Sequence, residues 1–305
     1  MARGALAYAR QLMIALRNSG LVAATLLALT LAACGGATSS PAKPATGAAT
    51  TAAQSRTTTA PATGIPTPTP APVLMYHVIA PPPAGAPFPG LYVPPAEFRE
   101  QMLALQRAGF HAVTQEQLRQ HWLRGVVLPP GKPVVVSFDN GYQSQYSQAL
   151  PILRSMGWAA VENLQLEGLP PSQGGFGAGQ VQALIDAGWE LNTQGLSHAD
   201  LITLSGAELE AQVAGARRIL QRRYHVPVNW FCYPSGHYDA AVIEEVKRAG
   251  YVGSTTVIPG WAQAHEDPYR MHRLRVLGGT SGLQLIELIN ATRENPPAPE
   301  SYGGA

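Results

Sequence analysis

Short runs of β-branched and apolar residues alternate with amphipathic helical patterns over residues 73–291. The runs predict strands at residues 72–76, 134–138, 159–164, 229–233, 251–256 and 273–277. The patterns predict helices over residues 95–108, 180–187, 205–224, 240–249 and 281–291, with shorter ones after residue 114 and before residue 157. This alternation is typical of an α/β domain with parallel strands, either a barrel or an open sheet.

Two of these helices begin with the sequence pattern of a capping box. Thr114 is followed three residues later by Gln117, and Ser205 is followed in the same way by Glu208. We therefore predict that each hydroxyl accepts a hydrogen bond from the first turn of its helix.

Polar residues follow two of the predicted strands and a third short segment, residues 190–191. Asp139 comes after residues 134–136, His198 comes after residues 190–191, and the turn sequence 233–236 comes after residues 230–232. Both candidate architectures place their chemistry at the carboxyl ends of the strands. We therefore expect these groups to share one site.

Residues 1–33 have the composition of an export signal. Three arginines precede an apolar run over residues 21–33, which is too short to span a bilayer comfortably but is typical of a signal-peptide core. The run ends in Leu31-Ala32-Ala33-Cys34, which resembles a bacterial lipoprotein box and predicts lipidation of Cys34. The protein would then be exported and lipid-anchored to the outer face of a bacterial membrane. The alternative is an ordinary secretory peptide with an incidental cysteine.

Residues 34–71 are almost entirely Ala, Thr, Pro, Gly and Ser, which predicts a disordered tether. Residues 72–295 then form the folded domain, and residues 296–305 form a flexible tail. The five basic residues before position 72 account for the net charge of +2, so the folded part is slightly acidic. A nucleic-acid-binding domain needs a basic face, and the charge distribution gives no support to that function. If Cys34 is lipidated, Cys232 has no partner for an internal disulfide.

Four segments carry a resemblance to a known family. They are Tyr76-His77, Phe138-Asp139-Asn140-Gly141-Tyr142, Ser197-His198-Ala199-Asp200-Leu201 and Phe231-Cys232-Tyr233-Pro234-Ser235-Gly236-His237-Tyr238-Asp239. In this order and spacing they resemble the polysaccharide deacetylase family, the NodB-homology domain of carbohydrate esterase family 4. The resemblance implies a single α/β domain built as an irregular (β/α)7-type barrel with parallel strands. It also implies removal of acetyl groups from N-acetylated sugars in chitin-like, peptidoglycan or biofilm polymers.

The resemblance assigns catalytic and metal-binding roles to five residues. Asp139 matches the catalytic base, and His77 matches a histidine that protonates the leaving amine in the subgroup acting on biofilm polymers. Asn140, Gln194 and His198 match an aspartate and two histidines that hold a zinc-like divalent metal. Without the resemblance, Asp139 would be read as a helix cap, His198 as a hydrogen-bonded loop residue, and His77 as a core histidine.

Five further residues are candidates for substrate binding. Tyr142 belongs to the first long motif. Tyr233, Pro234 and Gly236 form a turn that, in the family, shapes the floor of the groove and offers backbone N–H groups to an oxyanion. Trp261 is the candidate for stacking on a sugar ring. The alternatives are a purely structural turn at residues 233–236 and a core position for Trp261.

Two of the three metal positions carry neutral amides, Asn140 and Gln194. First-row divalent ions prefer imidazole and carboxylate ligands, and amide oxygens are poorer. We therefore expect weak or absent metal binding, and with it the loss of the acidified water and polarised carbonyl that a metal supplies. Asp139 and His77 alone would offer general acid–base assistance of roughly 10²–10⁴-fold.

Three functions are compatible with these residues. The first is a polysaccharide deacetylase-like protein that acts on or binds N-acetylated glycans of the cell envelope, with weak or no metal-dependent activity. The second is an active metal-dependent N-deacetylase that hydrolyses the acetamide C–N bond of N-acetylglucosamine polymers and either tolerates the amides or recruits a ligand such as Glu162 or Glu190. The alternative for Glu162 is a partly exposed surface residue. The third is a structural envelope protein that uses the fold for protein contacts.

Overall fold

The computed structural model describes residues 68–167, 169, 174–293, 301 and 303. The chain divides into two units, Met1–Thr57 and Thr58–Ala305, and all described residues belong to the second. The predicted signal peptide, the lipidation site Cys34, nearly all of the tether and most of the tail lie outside the described residues.

Parallel strands form one curled, half-barrel sheet in the described part of the chain. In spatial order the strands are β7 (Gly253–Thr255), β6 (Trp230–Cys232), β5 (Glu190–Thr193), β4 (Val161–Leu164), β3 (Lys132–Asn140), β1 (Val73–Tyr76) and β8 (Leu274–Arg275). A further strand, β2 (Phe110–Ala112), which the sequence patterns did not predict, pairs with the first part of β3. The prediction of a single α/β domain with parallel strands is confirmed.

Helices cover the sheet at the positions that the hydrophobic patterns predict. They are α1 (Pro95–Arg107), α2 (Gln115–Arg124), α3 (Leu150–Ser155), α4 (Ala178–Asp186), α5 (Gly206–Glu210), α6 (Ala216–Tyr224), α7 (Ala240–Arg248) and α8 (Gly282–Ala291). Within the described residues, none of them has both the length and the apolar character that crossing a membrane would need.

One of the two predicted capping boxes forms. Thr114 Oγ1 accepts a hydrogen bond from the backbone N–H of Gln117 at 3.2 Å, and Gln117 Oε1 accepts one from the backbone N–H of Thr114 at 2.8 Å. The two bonds satisfy N–H groups that a helix start would otherwise leave without partners.

The second predicted capping box is wrong. The side chain of Ser205 makes no capping bond, because the backbone N–H of Glu208 donates to the backbone carbonyl of Ser205 instead, at 3.2 Å. The chain also enters this helix through Gly206 in the left-handed region, with φ +53°. Residues 206–224 are helical as predicted, but a π-helical turn at Ala211–Gly215 separates α5 from α6.

Strand β3 carries the residues that matter most for the site. It is longer than predicted, and its last seven residues are all buried, as expected for a central parallel strand covered on both faces. Because side chains alternate between the two faces of a strand, Ser137 and Asp139 point into the curl of the sheet, whereas Val136 and Phe138 point into the layer of helices.

Phe138 is the centre of an aromatic cluster beneath the site. Its ring stacks on Trp189 with centroids 5.1 Å apart, and it lies 5.8 Å from both Tyr76 and Phe98. All four side chains are nearly or fully buried. The cluster packs β1, β3 and the start of β5 against α1. It thereby fixes the position of Asp139, the residue that follows Phe138.

We predict that Phe138→Ala lowers the free energy of unfolding by about 3–5 kcal/mol, because it removes a ring from a closely packed cluster. Phe88→Ala is the matched control, since Phe88 is 69% exposed, and it should change stability by less than about 0.5 kcal/mol. Urea unfolding followed by circular dichroism measures both. Equal stability of the two variants would contradict this account of the core.

Candidate functional site

A cleft of about 570 Å³ opens at the carboxyl ends of β1, β3 and β5. Most of the predicted site residues line it: His77, Asp139, Asn140, Tyr142, Gln194, His198, Tyr233 and Gly236. The other lining residues are Met75, Phe88, Leu91, Gln165, Ser197, Ser235, His237, Val257 and Arg275. The expectation that the three motif segments share one site is therefore correct.

At the base of the cleft, Asp139 is held by a buried arginine. Arg273 Nη1 donates to Asp139 Oδ1 at 2.7 Å, and Arg273 Nη2 donates to Oδ2 at 2.8 Å. Asn163 Nδ2 donates to Oδ1 at 2.9 Å, and Cys232 Sγ lies 3.6 Å from Oδ2. Arg273 has no solvent exposure and Asp139 has 1%. This is a two-pronged, charge-assisted pair, the strong form of such contacts.

The pair sets the protonation state of Asp139. Burial alone would raise the pKa of this carboxyl, but the charge of Arg273 and the hydrogen bonds from Arg273 and Asn163 outweigh burial and lower the pKa to about 2. Asp139 is therefore ionised at neutral pH. It is also a weak base, because a general base works best when its pKa lies near the working pH.

His77 faces the cleft from the end of β1. Burial lowers its pKa to about 4; the charge of Asp139 opposes this lowering, and the charges of Arg273 and Arg275 add to it. Its Nδ1 atom is buried and has no hydrogen-bond partner among the described residues. At neutral pH this imidazole is uncharged, which is the wrong state for a residue expected to protonate a leaving amine.

A glutamine in a widened helical turn connects the two predicted catalytic residues. Gln145 begins the π-helical turn Gln145–Ala149, and its Nε2 group donates to the backbone carbonyls of His77, at 2.7 Å, and Asp139, at 2.8 Å. Turns of this kind are often found at functional sites. Here the turn fixes the ends of β1 and β3 relative to each other.

The three predicted metal positions lie together at the cleft. Asn140 is in the left-handed region with φ +79°, and its Nδ2 group donates to Gln165 Oε1 at 3.1 Å. Gln194 is 3% exposed, and its buried Oε1 atom has no hydrogen-bond partner within the described part of the chain. His198 is also left-handed, with φ +55°, and burial lowers its pKa.

These three residues do not fit the metal that the family generally uses. Among the described residues, no group of three or more His, Cys, Asp or Glu side chains is placed to hold an ion. Only His198 is a ligand type that zinc prefers, and the nearby carboxylate of Asp139 is already bound by Arg273. Two neutral amide oxygens and one imidazole bring no negative charge to balance a divalent cation.

The turn after β6 forms a wall of the cleft. Ser235 and Gly236 both have positive φ, +56° and +79°, and a Cβ at Gly236 would lie 2.4 Å from Val257 Cγ2. Only glycine fits that close approach. Two of the backbone N–H groups that this turn was expected to offer to an oxyanion already have partners within the protein. The N–H of Tyr233 donates to the carbonyl of Thr255, and that of Gly236 donates to the carbonyl of Tyr233.

The side chains of the predicted substrate-binding residues are placed unequally. Tyr142 is partly exposed in the cleft. Tyr233 touches the cleft, but its hydroxyl donates to the carbonyl of Tyr269 at 2.9 Å and its ring stacks on Tyr238. Pro234 is buried in the turn and does not line the cleft.

The prediction that Trp261 stacks on a sugar ring is wrong. Trp261 is 8% exposed, belongs to the main hydrophobic core and does not line the cleft. Its Nε1 group donates to the backbone carbonyl of Ile289 at 2.7 Å. The indole therefore anchors α8 to the domain, which matches the alternative of a core position.

Neither glutamate suggested as a replacement ligand can reach the metal positions. Glu190 begins β5 and accepts hydrogen bonds from the backbone N–H of Glu116 and from Asn192. It lies four residues before Gln194, or about 13 Å along a strand. Glu162 neighbours Asn163 and so faces away from Asp139. At 1% exposure, it is not the surface residue that was the alternative.

Several site residues were not predicted from the sequence. Arg273, Asn163 and Cys232 surround Asp139, while Gln165 and Arg275 line the cleft. The available signal was a charged or polar residue within an otherwise apolar strand, as at Arg273 and Asn163. Cys232 is a free, buried thiol, and burial raises its pKa to about 12.

Comparison with known proteins agrees with this geometry. The family model described as polysaccharide deacetylase matches residues 127–254, which include β3 to β7 and the cleft between them. The chain is 26% identical over 211 residues to YxkH of Bacillus subtilis, named as a candidate polysaccharide deacetylase, covering 69% of this chain and 73% of that protein. The chain therefore carries a polysaccharide deacetylase-like domain.

Solved structures and a shorter match support this deacetylase-family domain. A Bacillus cereus polysaccharide deacetylase is 26% identical with a TM-score of 0.64, covering 72% of this chain and 69% of that chain. The Streptococcus pyogenes deacetylase PplD shares the fold, with a TM-score of 0.65, 24% identity and coverage of 73% and 99%. The poly-β-1,6-N-acetyl-D-glucosamine N-deacetylase of Escherichia coli K12 is 43% identical over 63 residues, or 21% of this chain and 9% of that protein.

We predict that Arg273→Met lowers the free energy of unfolding by about 3–5 kcal/mol, because it leaves Asp139 buried without its cation. Arg275→Met changes an exposed arginine on the adjoining strand and should have an effect of less than about 0.5 kcal/mol. The double change Asp139→Asn with Arg273→Met should cost less than the sum of the single changes, as a coupled pair requires. Denaturant unfolding of all four variants tests this, and strict additivity would contradict it.

His77 should make stability depend on pH. The unfolded chain takes up the His77 proton near the ordinary value of 6.5, whereas the folded chain does so only at about 4. Between these values the unfolded state binds more protons, so stability falls as the pH drops through this window. We predict that His77→Gln removes part of that fall, whereas His265→Gln, at an exposed position, does not. Urea unfolding between pH 7 and 4 measures the slopes, and an NMR titration of His77 with a midpoint near 6.5 would overturn the prediction.

Proposed function

We propose that this protein binds N-acetylated glycans of the cell envelope in the cleft above Asp139, with weak or no metal-dependent deacetylation. The observation that carries the proposal is the state of the metal positions. They lie together in a preserved cleft, yet two of the three are uncharged amides, one of which is hydrogen-bonded to Gln165.

The contacts that shape the cleft support the proposal that it still binds a ligand. The Asp139–Arg273 pair, the Gln145 turn and the close contact between Gly236 and Val257 keep the carboxyl ends of the strands in fixed positions. A cleft of about 570 Å³ lies within the usual range for small-molecule sites. The Escherichia coli relative acts, by its name, on a polymer of N-acetylglucosamine, and we infer a glycan of this class for the present chain.

The protonation states argue against efficient hydrolysis by the protein residues alone. A metal, where family members hold one, acidifies water and polarises the acetamide carbonyl. Here Asp139 accepts three hydrogen bonds from Arg273 and Asn163 and has a pKa of about 2. His77 has a pKa of about 4, so at neutral pH it lacks the acidic imidazolium proton that a general acid would donate. Both groups are thus in poor states for base and acid catalysis.

Export and anchoring complete the proposal. The sequence of residues 1–33 and the cysteine at position 34 support lipidation and attachment to the outer face of a membrane. The tether of residues 34–71 would hold the domain away from that surface. An envelope glycan would then be within reach of the cleft.

We predict that the purified full chain binds N-acetylglucosamine oligomers without stoichiometric zinc. Asn140→Asp combined with Gln194→His should restore tight zinc binding and raise acetate release, because a carboxylate and a second imidazole then join His198. The matched control places the same changes on exposed helical residues, Asn290→Asp with Gln106→His, and should gain neither. Metal analysis, calorimetry and acetate assays measure the three properties.

The outcomes separate the competing functions. Stoichiometric zinc in the unaltered chain, with acetate release at a rate typical of enzymes, would replace the proposal by an active N-deacetylase. No glycan binding and no activity, together with a co-purifying protein, would favour a structural envelope protein. Failure of the restoring double change to bind zinc would refute the assignment of positions 140, 194 and 198 as former metal positions.

A further inference from the structure

Among the described residues that line the cleft, Arg275 carries a positive charge without an ion-pair partner. Arg275 lies in the short edge strand β8 with its side chain exposed at the cleft. Among the described residues, no carboxylate lies within 4 Å of its guanidinium nitrogens. Its field reaches the bottom of the cleft, because Arg275 contributes to the lowering of the pKa of His77.

Among the described residues that line the cleft, none offers a free negative charge to balance it. Asp139 is the one carboxylate among the described residues lining the cleft, and both its oxygens accept hydrogen bonds from Arg273. The position beside it, Asn140, is neutral. The three histidines of the cleft are neutral or positive at any pH. Asp200 does not line the cleft, and its carboxylate accepts a hydrogen bond from His237 Nδ1 at 2.9 Å.

The neutral groups of the cleft suit an amide better than an ammonium group. Gln194 Oε1 is a buried acceptor that no described residue satisfies, and it can accept a hydrogen bond from the single N–H of an acetamido group. An ammonium group brings three donors and a full charge, which is costly to bury unless a carboxylate pairs with it. Arg275 would repel that charge as well.

We propose that the cleft distinguishes the acetylation state of its glycan: it holds the neutral N-acetylated form, rejects the cationic de-N-acetylated form, and uses Arg275 to strengthen the difference. This inference rests on the proposed glycan-binding function. It makes the protein a reader of acetylation, which would release a polymer once other enzymes have removed its acetyl groups.

The test compares two probes that differ only in acetylation. A trimer of β-1,6-linked N-acetylglucosamine and its fully de-N-acetylated counterpart are titrated calorimetrically into the purified full chain at about pH 6, where the sugar amines are protonated. We expect the acetylated trimer to bind about tenfold more tightly or better, since an unpaired buried polar group typically costs about 1–3 kcal/mol. The acetylated and de-N-acetylated trimers with β-1,4 linkages serve as a second set of probes.

Variants of Arg275 isolate the electrostatic part. Arg275→Gln should narrow the preference for the acetylated trimer by about one and a half- to fivefold, mainly by strengthening binding of the amine form, as expected when a partly screened charge is removed. Arg275→Glu should strengthen binding of the amine form further. Arg222→Gln, at an exposed arginine of α6 outside the cleft, is the matched control and should change neither affinity.

Each outcome decides a different question. Preference for the acetylated trimer that narrows in Arg275→Gln supports the inference. Equal binding of both trimers, or tighter binding of the amine form, overturns the inference while leaving the glycan-binding function in place. An undiminished preference in Arg275→Glu overturns the role of Arg275. Binding of no probe overturns the glycan-binding function and the inference together.

Discussion

The ion pair between Asp139 and Arg273 is the contact on which the site depends. The two residues are 134 positions apart in the sequence, and their contact joins the central strand β3 to the residue before the edge strand β8. A buried pair of this kind adds little net stability compared with apolar packing, but losing one partner is costly because the other charge is left in the interior. The two residues are therefore energetically dependent on each other, and their contact fixes the position of the end of β3 at the base of the cleft.

The same pair explains the electrical character of the cleft. Arg273 neutralises the carboxylate that would otherwise attract a cation, and Asn140 removes the second one that a metal site of this family would use. What remains is a polar, nearly neutral pocket lined by amide groups, with Arg275 at its edge. A pocket of this kind is poorly suited to a hard or borderline metal ion, and it is well suited to an uncharged sugar substituent that can exchange hydrogen bonds with amides.

The sequence predicted the architecture well because the fold depends on local patterns. Strand–helix alternation, the Thr114 capping box and the polar residues at strand ends all follow from short-range physics, and Asp139, His198 and the turn at 233–236 do meet in one cleft. The capping-box prediction at Ser205 failed because a glycine with positive φ changed the path of the chain into the helix. The prediction that Trp261 stacks on a sugar failed because a loop tryptophan has the same local sequence whether it packs into the core or faces a ligand.

The residues that were missed share a different property. Arg273 and Asn163 act only through a contact with Asp139, and strand order in the sheet, which no local pattern specifies, decides that contact. Glu162 illustrates the converse. Its register beside Phe138 places an acid in the layer between sheet and helices, where burial raises its pKa well above the ordinary value. Sequence spacing alone could not distinguish that position from one facing the cleft.

The backbone at position 140 has a consequence for how such a protein evolves. Asn140 adopts φ +79°, a region that asparagine and aspartate both tolerate better than most side chains. Exchange between the two residues therefore changes the charge of the cleft without requiring the chain to be rebuilt. The chain can therefore gain or lose a carboxylate at this position, and with it a ligand type that divalent metals prefer, by side-chain replacement alone.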